Sequence, residues 1–115
     1  MAYNKRDVGG QKETLAVLFL EKQGFRILDR NYYTRHGELD IVAMDGEYLV
    51  FAEVKYRRDS DYGTPAQAVI ARKQRHLQYA ARTYLYEKKL DFDSPIRFDV
   101  IEISGEEINI IKNAF

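Results

Sequence analysis

Hydrophobic and polar residues alternate in five short runs of the chain, and two longer stretches have the apolar spacing of helices. The alternating runs predict β-strands at 25–33, 38–44, 48–56, 96–103 and 107–112. Helical spacing predicts a first helix from about Asp7 to Gln23 and a second from about Ala66 to Lys89. The order α-β-β-β-α-β-β predicts an α/β domain, with a mixed five-stranded sheet flanked by helices.

Several local signals support these boundaries. Gly24 is a stop signal for the first helix, and Asp45-Gly46 predicts a tight hairpin between the second and third strands. The polar stretch 57–65, with Gly63 and Pro65, predicts a loop. The apolar stripe predicted for the first helix consists of Leu15, Ala16, Leu18, Phe19 and Leu20. That of the second consists of Ile70, Leu77, Ala81 and Tyr84.

Charged residues interrupt the second and third strands, where apolar residues would be expected. Side chains two residues apart on a strand share a face, so Glu53 lies on the same face as Lys55. In the same way, Glu38 lies on the same face as Asp40. The other faces are assigned to Leu39, Ile41 and Ala43, and to Val50, Ala52 and Val54. If the strands form the hairpin, the four charged groups converge. We then expect the polar face to be a site and the apolar face to be the core.

This set of charged groups suits phosphodiester hydrolysis. Mg²⁺ prefers carboxylate and water oxygens, and Asp40 and Glu53 could supply two of them. Lys55 could orient or deprotonate the attacking water, or neutralise charge on a phosphate. The pattern also fits an ordinary solvated strand face with cross-strand ion pairs, and the residues alone leave both interpretations open.

Composition narrows the classes of protein. The 115 residues suit one domain, and the absence of cysteine excludes disulfides and thiolate zinc sites. A net charge of zero argues against a dedicated nucleic-acid coat protein. No signal-peptide segment or run of about 20 apolar residues is present. We therefore expect a cytoplasmic protein without a membrane span.

Basic and aromatic side chains suggest a nucleic-acid surface. A basic cluster comprises Arg72, Lys73, Arg75, His76 and Arg82, with Arg57 and Arg58 before the loop. It could follow a phosphate backbone, although a solvated helix face has the same pattern. Lys73 or Gln74 interrupts the buried stripe, and Lys73 is favoured to reach the site. Tyr32, Tyr33, Tyr56 and Tyr62 could stack on unpaired bases or serve as half-buried packing.

The longer motifs resemble a known family. They are "GQKETLA" (10–16), Gly24-Phe25, Arg30-Asn31, "GELDIV" (37–42), "FAEVKYR" (51–57), Gly63-Thr64-Pro65, Lys73, "A..YL" (81–85), "RFDV" (97–100) and "NAF" (113–115). In order and spacing they resemble the bacterial YraN family. Asp40 followed by Glu53-Val54-Lys55 resembles the PD-(D/E)XK nuclease signature, although Leu39 stands where that signature has Pro.

The resemblance implies a restriction-endonuclease-like fold, similar to that of archaeal Holliday-junction resolvases. It implies Mg²⁺ or Mn²⁺ on Asp40, Glu53 and Glu13, with Lys55 as the catalytic lysine. Glu13 could otherwise be an exposed acid in a first helical turn, and Glu38 is either a further ligand or a flanking residue.

Two functions fit these residues and the resemblance. The first is a metal-dependent DNA endonuclease, and symmetric cutting of two strands would suit a homodimer. The second is a non-catalytic nucleic-acid-binding or assembly module on the same fold. The presence of Asp40, Glu53 and Lys55 together favours the first.

Overall fold

The structure is a computed structural model that describes residues 5–57, 71–90 and 93–115, with side chains described from Gln11 onward except that of Arg57. Its helices are α1 (Lys5–Lys22) and α2 (Ala71–Glu87). Its strands are β1 (Arg26–Thr34), β2 (Gly37–Asp45), β3 (Tyr48–Arg57), β4 (Ile96–Ser104) and β5 (Glu107–Ile111). The predicted order of elements is confirmed. Residues 58–70, which include most of the predicted loop, Arg58, Tyr62 and Ile70, lie outside the described residues.

The five strands form one mixed sheet in the order β1-β2-β3-β4-β5. β3 and β4 are parallel, and the other neighbouring pairs are antiparallel. The predicted β2–β3 hairpin is confirmed, with pairs from Ile41↔Ala52 to Asp45↔Tyr48. Gly46 turns this hairpin with a φ of +59°, a conformation that favours glycine in tight turns.

Apolar side chains are buried on both faces of the sheet. We call one group the α1-side cluster: Ala16, Leu20, Phe25, Ile41, Ala43, Val50, Ala52, Ile101 and Ile103. We call the other the α2-side cluster: Leu39, Val42, Leu49, Phe51, Leu77, Ala80, Ala81, Tyr84, Leu85 and Val100. The expectation of one apolar face and one polar face is therefore wrong. Each helix packs on one face of the sheet, so neither face as a whole is a polar site.

The inner stripe of α1 also differs from the prediction. Leu15 and Leu18 are exposed, whereas Ala16 and Leu20 are fully buried. Val17 packs beside them, so the inward face follows the 16-17-20 spacing of a helix. Among the described helices, neither is long and apolar enough to cross a membrane.

A buried ion cluster joins three parts of the fold at the Asp45 end of β2. The side chain of Arg97 donates hydrogen bonds to both carboxylate oxygens of Asp99 and to Asp45 Oδ2, the last at 2.7 Å. Asp99 is fully buried and also accepts the backbone N–H of Asn113 at 2.9 Å. The cluster thus ties β4 to the β2–β3 hairpin and to the C-terminal segment.

Candidate metal centre

The candidate site lies where β2 and β3 part. Within the described strands, β2 pairs with β3 only from Ile41 onward, while its earlier residues pair with β1. The carboxylate of Asp40 lies at the opening, where its Oδ2 accepts the backbone N–H of Val54 at 2.9 Å. A hydrogen bond from the β3 backbone to the Asp40 side chain thus continues the ladder where its backbone hydrogen bonds end, and it holds Asp40 against β3.

β2 changes face at Asp40. Leu39 packs in the α2-side cluster and Ile41 in the α1-side cluster. Residues two apart on a regular strand share a face, so the strand must turn over between them. The face predicted in common for Leu39, Ile41 and Ala43 is therefore wrong for Leu39. Asp40 lies at this point of the strand, next to the end of the β2–β3 ladder.

Three of the predicted acids meet at this opening, and the fourth, Glu53, lies beside Asp40. Glu13, Glu38 and Asp40 each have a carboxylate oxygen within 4.8 Å of those of the other two. Glu53 is only 7% exposed and lies outside this group of three, but it is close enough to Asp40 to raise the pKa of that carboxyl group. Because α1 begins at Lys5, Glu13 is a half-buried residue two turns into the helix and not an exposed acid of its first turn.

The crowding of acids has electrostatic consequences. Burial, the Glu53 charge and the hydrogen bond to Glu53 raise the pKa of Asp40 from 3.8 to about 8, against the opposing effect of the Val54 N–H. Burial, followed by the charges of Glu13 and Glu53, also raises the pKa of Glu38. These carboxyl groups therefore resist holding negative charge together in the protein alone.

The donor set fits a hard divalent cation. Carboxylate oxygens are the ligands that Mg²⁺ and Mn²⁺ prefer. Two oxygens that bind one Mg²⁺ at about 2.1 Å lie no more than about 4.2 Å apart. Glu13, Glu38 and Asp40 each have a carboxylate oxygen within 4.8 Å of those of the other two, which is close to this limit. Asp40 and Glu53 would hold the ion, with Glu13 and Glu38 beside them, and the ion would relieve the repulsion described above.

Lysines from two elements approach the acids. The Lys73 Nζ lies 3.2 Å from Glu53 Oε1, so Lys73 of α2 contacts one of the predicted metal ligands. Lys55 follows Glu53 by two residues on β3 and shares its face. Lys55 also lies beside Glu102 of β4, a buried acid that the sequence pattern did not single out. Its position two residues after Val100 in an apolar strand is the signal that could have identified it.

The structure describes some of the residues that were predicted to contact nucleic acid. Arg72 and Arg75 are exposed on α2, as their predicted role requires. Arg58 and the side chain of Arg57 lie outside what the structure describes. Tyr32 is packing: its ring meets Tyr84 edge-on at 4.9 Å between centroids. Tyr33 and Tyr56 are exposed, as stacking on unpaired bases requires.

The fold and the acidic cluster define an α/β protein with a candidate metal centre. The chain belongs to the uncharacterised protein family UPF0102, whose model matches residues 12–103. This confirms the resemblance at the level of the YraN-type family.

Relatives in several bacteria match almost the whole chain. It is 48% identical over 112 residues to a UPF0102 protein of Lachnoclostridium phytofermentans, covering 97% of this chain and 95% of that protein. It is 45% identical over 119 residues to a UPF0102 protein of Geobacter metallireducens, covering 100% and 97%. For a UPF0102 protein of Vibrio campbellii the identity is 43% over 115 residues, covering 97% and 94%.

Proposed function

We propose that this protein is a metal-dependent nuclease that hydrolyses DNA phosphodiester bonds, including those of branched or distorted DNA. The observation that carries the proposal is the grouping of Asp40 with Glu13 and Glu38 at the opening between β2 and β3, with Glu53 acting on Asp40 from β3. The resemblance of Asp40 and Glu53-Val54-Lys55 to the PD-(D/E)XK signature supports it. On this proposal the fold is restriction-endonuclease-like.

Each residue of the site has a separate role in this proposal. Mg²⁺ or Mn²⁺ held by Asp40 and Glu53 would supply an acidified water and neutralise charge on the phosphate. The Val54 N–H fixes the Asp40 carboxylate, so its position does not depend on a ligand. Lys55 would orient the attacking water or donate a hydrogen bond to the phosphate. Lys73 would exchange its Glu53 contact for a DNA phosphate, which keeps its charge paired.

Lys55→Ala tests this division of roles. We expect the variant to bind Mn²⁺ and DNA about as tightly as the parent but to lose most of its cleavage, about 100-fold or more, because the lysine acts on the reacting groups. Calorimetric titration with Mn²⁺ would measure the first property. A cleavage assay on linear, flapped and four-way DNA would measure the second. Lys22→Ala, which removes an exposed lysine from the last turn of α1, is the control.

Two results would count against that role for Lys55. Cleavage at the parental rate would remove Lys55 from the chemistry. Loss of DNA binding in proportion to cleavage would make it a phosphate-binding residue only.

Arg72 and Arg75 of α2 are proposed to contact the DNA backbone together with Lys73. We expect DNA affinity to fall steeply with added salt, because phosphate contacts release counterions. Reversing both charges, Arg72→Glu with Arg75→Glu, should weaken binding about tenfold or more and lower the salt dependence by about two counterions. The loss should be similar for every DNA sequence, because phosphate contacts carry no base information.

The control is a double reversal with the same change in net charge at Lys22 and Arg26. These exposed residues lie near the Asp45 end of the sheet, where Arg26 pairs with Met44. Fluorescence anisotropy over a salt series would compare the two variants. Equal weakening by both would show a general charge effect, and the DNA surface would then lie elsewhere.

A second candidate is a non-catalytic nucleic-acid-binding or assembly module. The observation that favours it is the Lys73–Glu53 ion pair, which neutralises one proposed ligand without a metal. Failure of the parent protein to cleave any of the three DNA substrates with Mg²⁺ or Mn²⁺, while still binding them, would select this candidate. A homodimer is part of the nuclease proposal, because symmetric cutting of two strands needs two centres. Light scattering would determine the oligomeric state.

A further inference from the structure

An open groove lies between α2 and the turn that joins β1 to β2. It has a volume of about 780 Å³, within the range of ligand pockets. Its walls include Tyr33 and Arg35 from the turn side and Arg82, Tyr86 and Glu87 from α2. None of these residues belongs to the acidic centre described above.

Two tyrosine rings in this groove are unusually exposed. The exposed fraction is 70% for Tyr33 and 77% for Tyr86. Tyr32 and Tyr84, by contrast, pack against each other and serve the core. Both tyrosines line the groove, and exposed aromatic rings in a groove favour a flat, partly apolar ligand that stacks on them.

The charged groups around these rings favour an anion. Arg35 and Arg82 are exposed cations in the wall of the groove. The guanidinium of Arg82 also lies 5.7 Å from the ring centroid of Tyr79, on which the His36 ring lies at 5.3 Å. The acid in the wall, Glu87, accepts a hydrogen bond from the Tyr32 hydroxyl. Aromatic rings beside arginines are the combination that single-stranded nucleic acid requires.

The groove adjoins the acidic centre. Tyr33 pairs with Glu38 across the β1–β2 ladder, so their Cα atoms are about 5 Å apart. A strand that leaves the groove past Tyr33 would therefore run next to Glu38 of the acidic group. Bases in a duplex are already stacked on each other, so only unpaired bases can stack on Tyr33 and Tyr86.

We propose that this groove binds unpaired nucleotides, so that the substrate is DNA with a single-stranded arm beside the cleaved bond. That the bound DNA is also the substrate rests on the proposed nuclease function. The binding itself needs no metal. Base stacking on Tyr33 and Tyr86 supplies the selectivity for unpaired DNA, and Arg35 and Arg82 hold its phosphates.

The test is the binding of an oligo-dT of about 20 nucleotides in the presence of EDTA, measured by fluorescence anisotropy. Tyr86→Ala and Tyr33→Ala should each weaken binding about 5- to 100-fold, the range for loss of one base–aromatic stack. Tyr86→Phe should keep nearly full affinity because it keeps the ring. Tyr48→Ala is the matched control, because Tyr48 is an exposed tyrosine at the Asp45 end of β2, opposite to the end where Tyr33 pairs. A blunt duplex should bind all of these variants about equally.

Unchanged oligo-dT affinity in both alanine variants would overturn the inference, as would an equal loss on the blunt duplex. The inference would also fail if the parent protein did not bind oligo-dT and Tyr86→Ala changed only the molecular mass of the protein in solution. The groove would then be a contact surface for a second copy of the chain. Ring-dependent oligo-dT binding without any metal-dependent cleavage would support the groove and contradict the nuclease proposal. If both alanine variants cleaved flapped DNA at the parental rate, the nuclease proposal would be supported and the role of the groove contradicted.

Discussion

Asp40→Asn is expected to make the metal-free protein more stable, although Asp40 is a central residue of the site. Burial and the neighbouring Glu53 raise the pKa of Asp40 to about 8, so ionising this group in the folded protein is costly. Asparagine stays neutral, can still accept the Val54 N–H, and can donate to Glu53 as the protonated acid does. We expect a gain of about 1–3 kcal/mol in the free energy of unfolding at pH 8.

The effect should depend on pH in a defined direction. Between its ordinary 3.8 and the raised pKa of about 8, Asp40 is protonated in the folded protein and ionised in the unfolded chain. The parent protein therefore loses stability from this group as pH rises through that window, whereas the asparagine variant does not. The gain should be near zero at pH 4 and complete just above pH 8. Urea unfolding in EDTA at pH 5 and pH 8 would measure it.

Glu47→Gln is the control for this measurement, because it removes an exposed carboxylate from the β2–β3 turn. It should change stability by less than about 0.5 kcal/mol at either pH. An Asp40→Asn protein that is less stable than the parent, or whose gain is the same at pH 5 and pH 8, would contradict the electrostatic description of the site.

Arg97→Met should cause the largest loss of stability among the changes considered. Arg97 donates to both oxygens of Asp99, which is fully buried, and to Asp45. Removing the guanidinium leaves a buried carboxylate without its counter-ion, which costs about 3–5 kcal/mol. Thermal and urea unfolding would measure the loss. Adding Asp99→Asn should restore part of it, because the second change removes the unpaired charge.

Lys112→Ala is the matched control for Arg97. Its amine lies 3.4 Å from Asp45 Oδ2, but the side chain is 53% exposed. Exposed ion pairs contribute about 0–1 kcal/mol, so the loss should be small. Equal losses for the arginine and lysine variants would mean that burial of Asp99 does not control the energetics of this cluster.

The alternation and helical spacing of the sequence were sufficient for the order of elements and for most strand boundaries. They identified the β2–β3 hairpin because Asp45-Gly46 is a strong local turn signal. They also brought Asp40 and Glu53 together, since pairing of the two strands follows from the hairpin. These features depend on neighbours along the chain, which a sequence displays directly.

The features that sequence missed depend on contacts between distant residues. Strict alternation put Leu39 and Ile41 on one face, but β2 turns over where its pairing with β3 ends. The stripe of α1 included Leu15 and Leu18, because apolar type alone does not say which side of a helix meets a sheet. Glu102 went unnoticed because its position beside Lys55 arises from the parallel pairing of β3 with β4.

Metal-dependent DNA cleavage by the parent protein and by Asp40→Asn, compared side by side, tests the central claim most directly. The substrates are flapped and four-way DNA, with Mn²⁺ or with EDTA. Changing even an outer-shell partner of a metal ligand costs about 10- to 100-fold, so replacing a ligand should cost at least about 100-fold. The proposal predicts cleavage by the parent only with Mn²⁺ and almost none by the variant, even though the variant is folded and more stable. Cleavage by Asp40→Asn at the parental rate would contradict it.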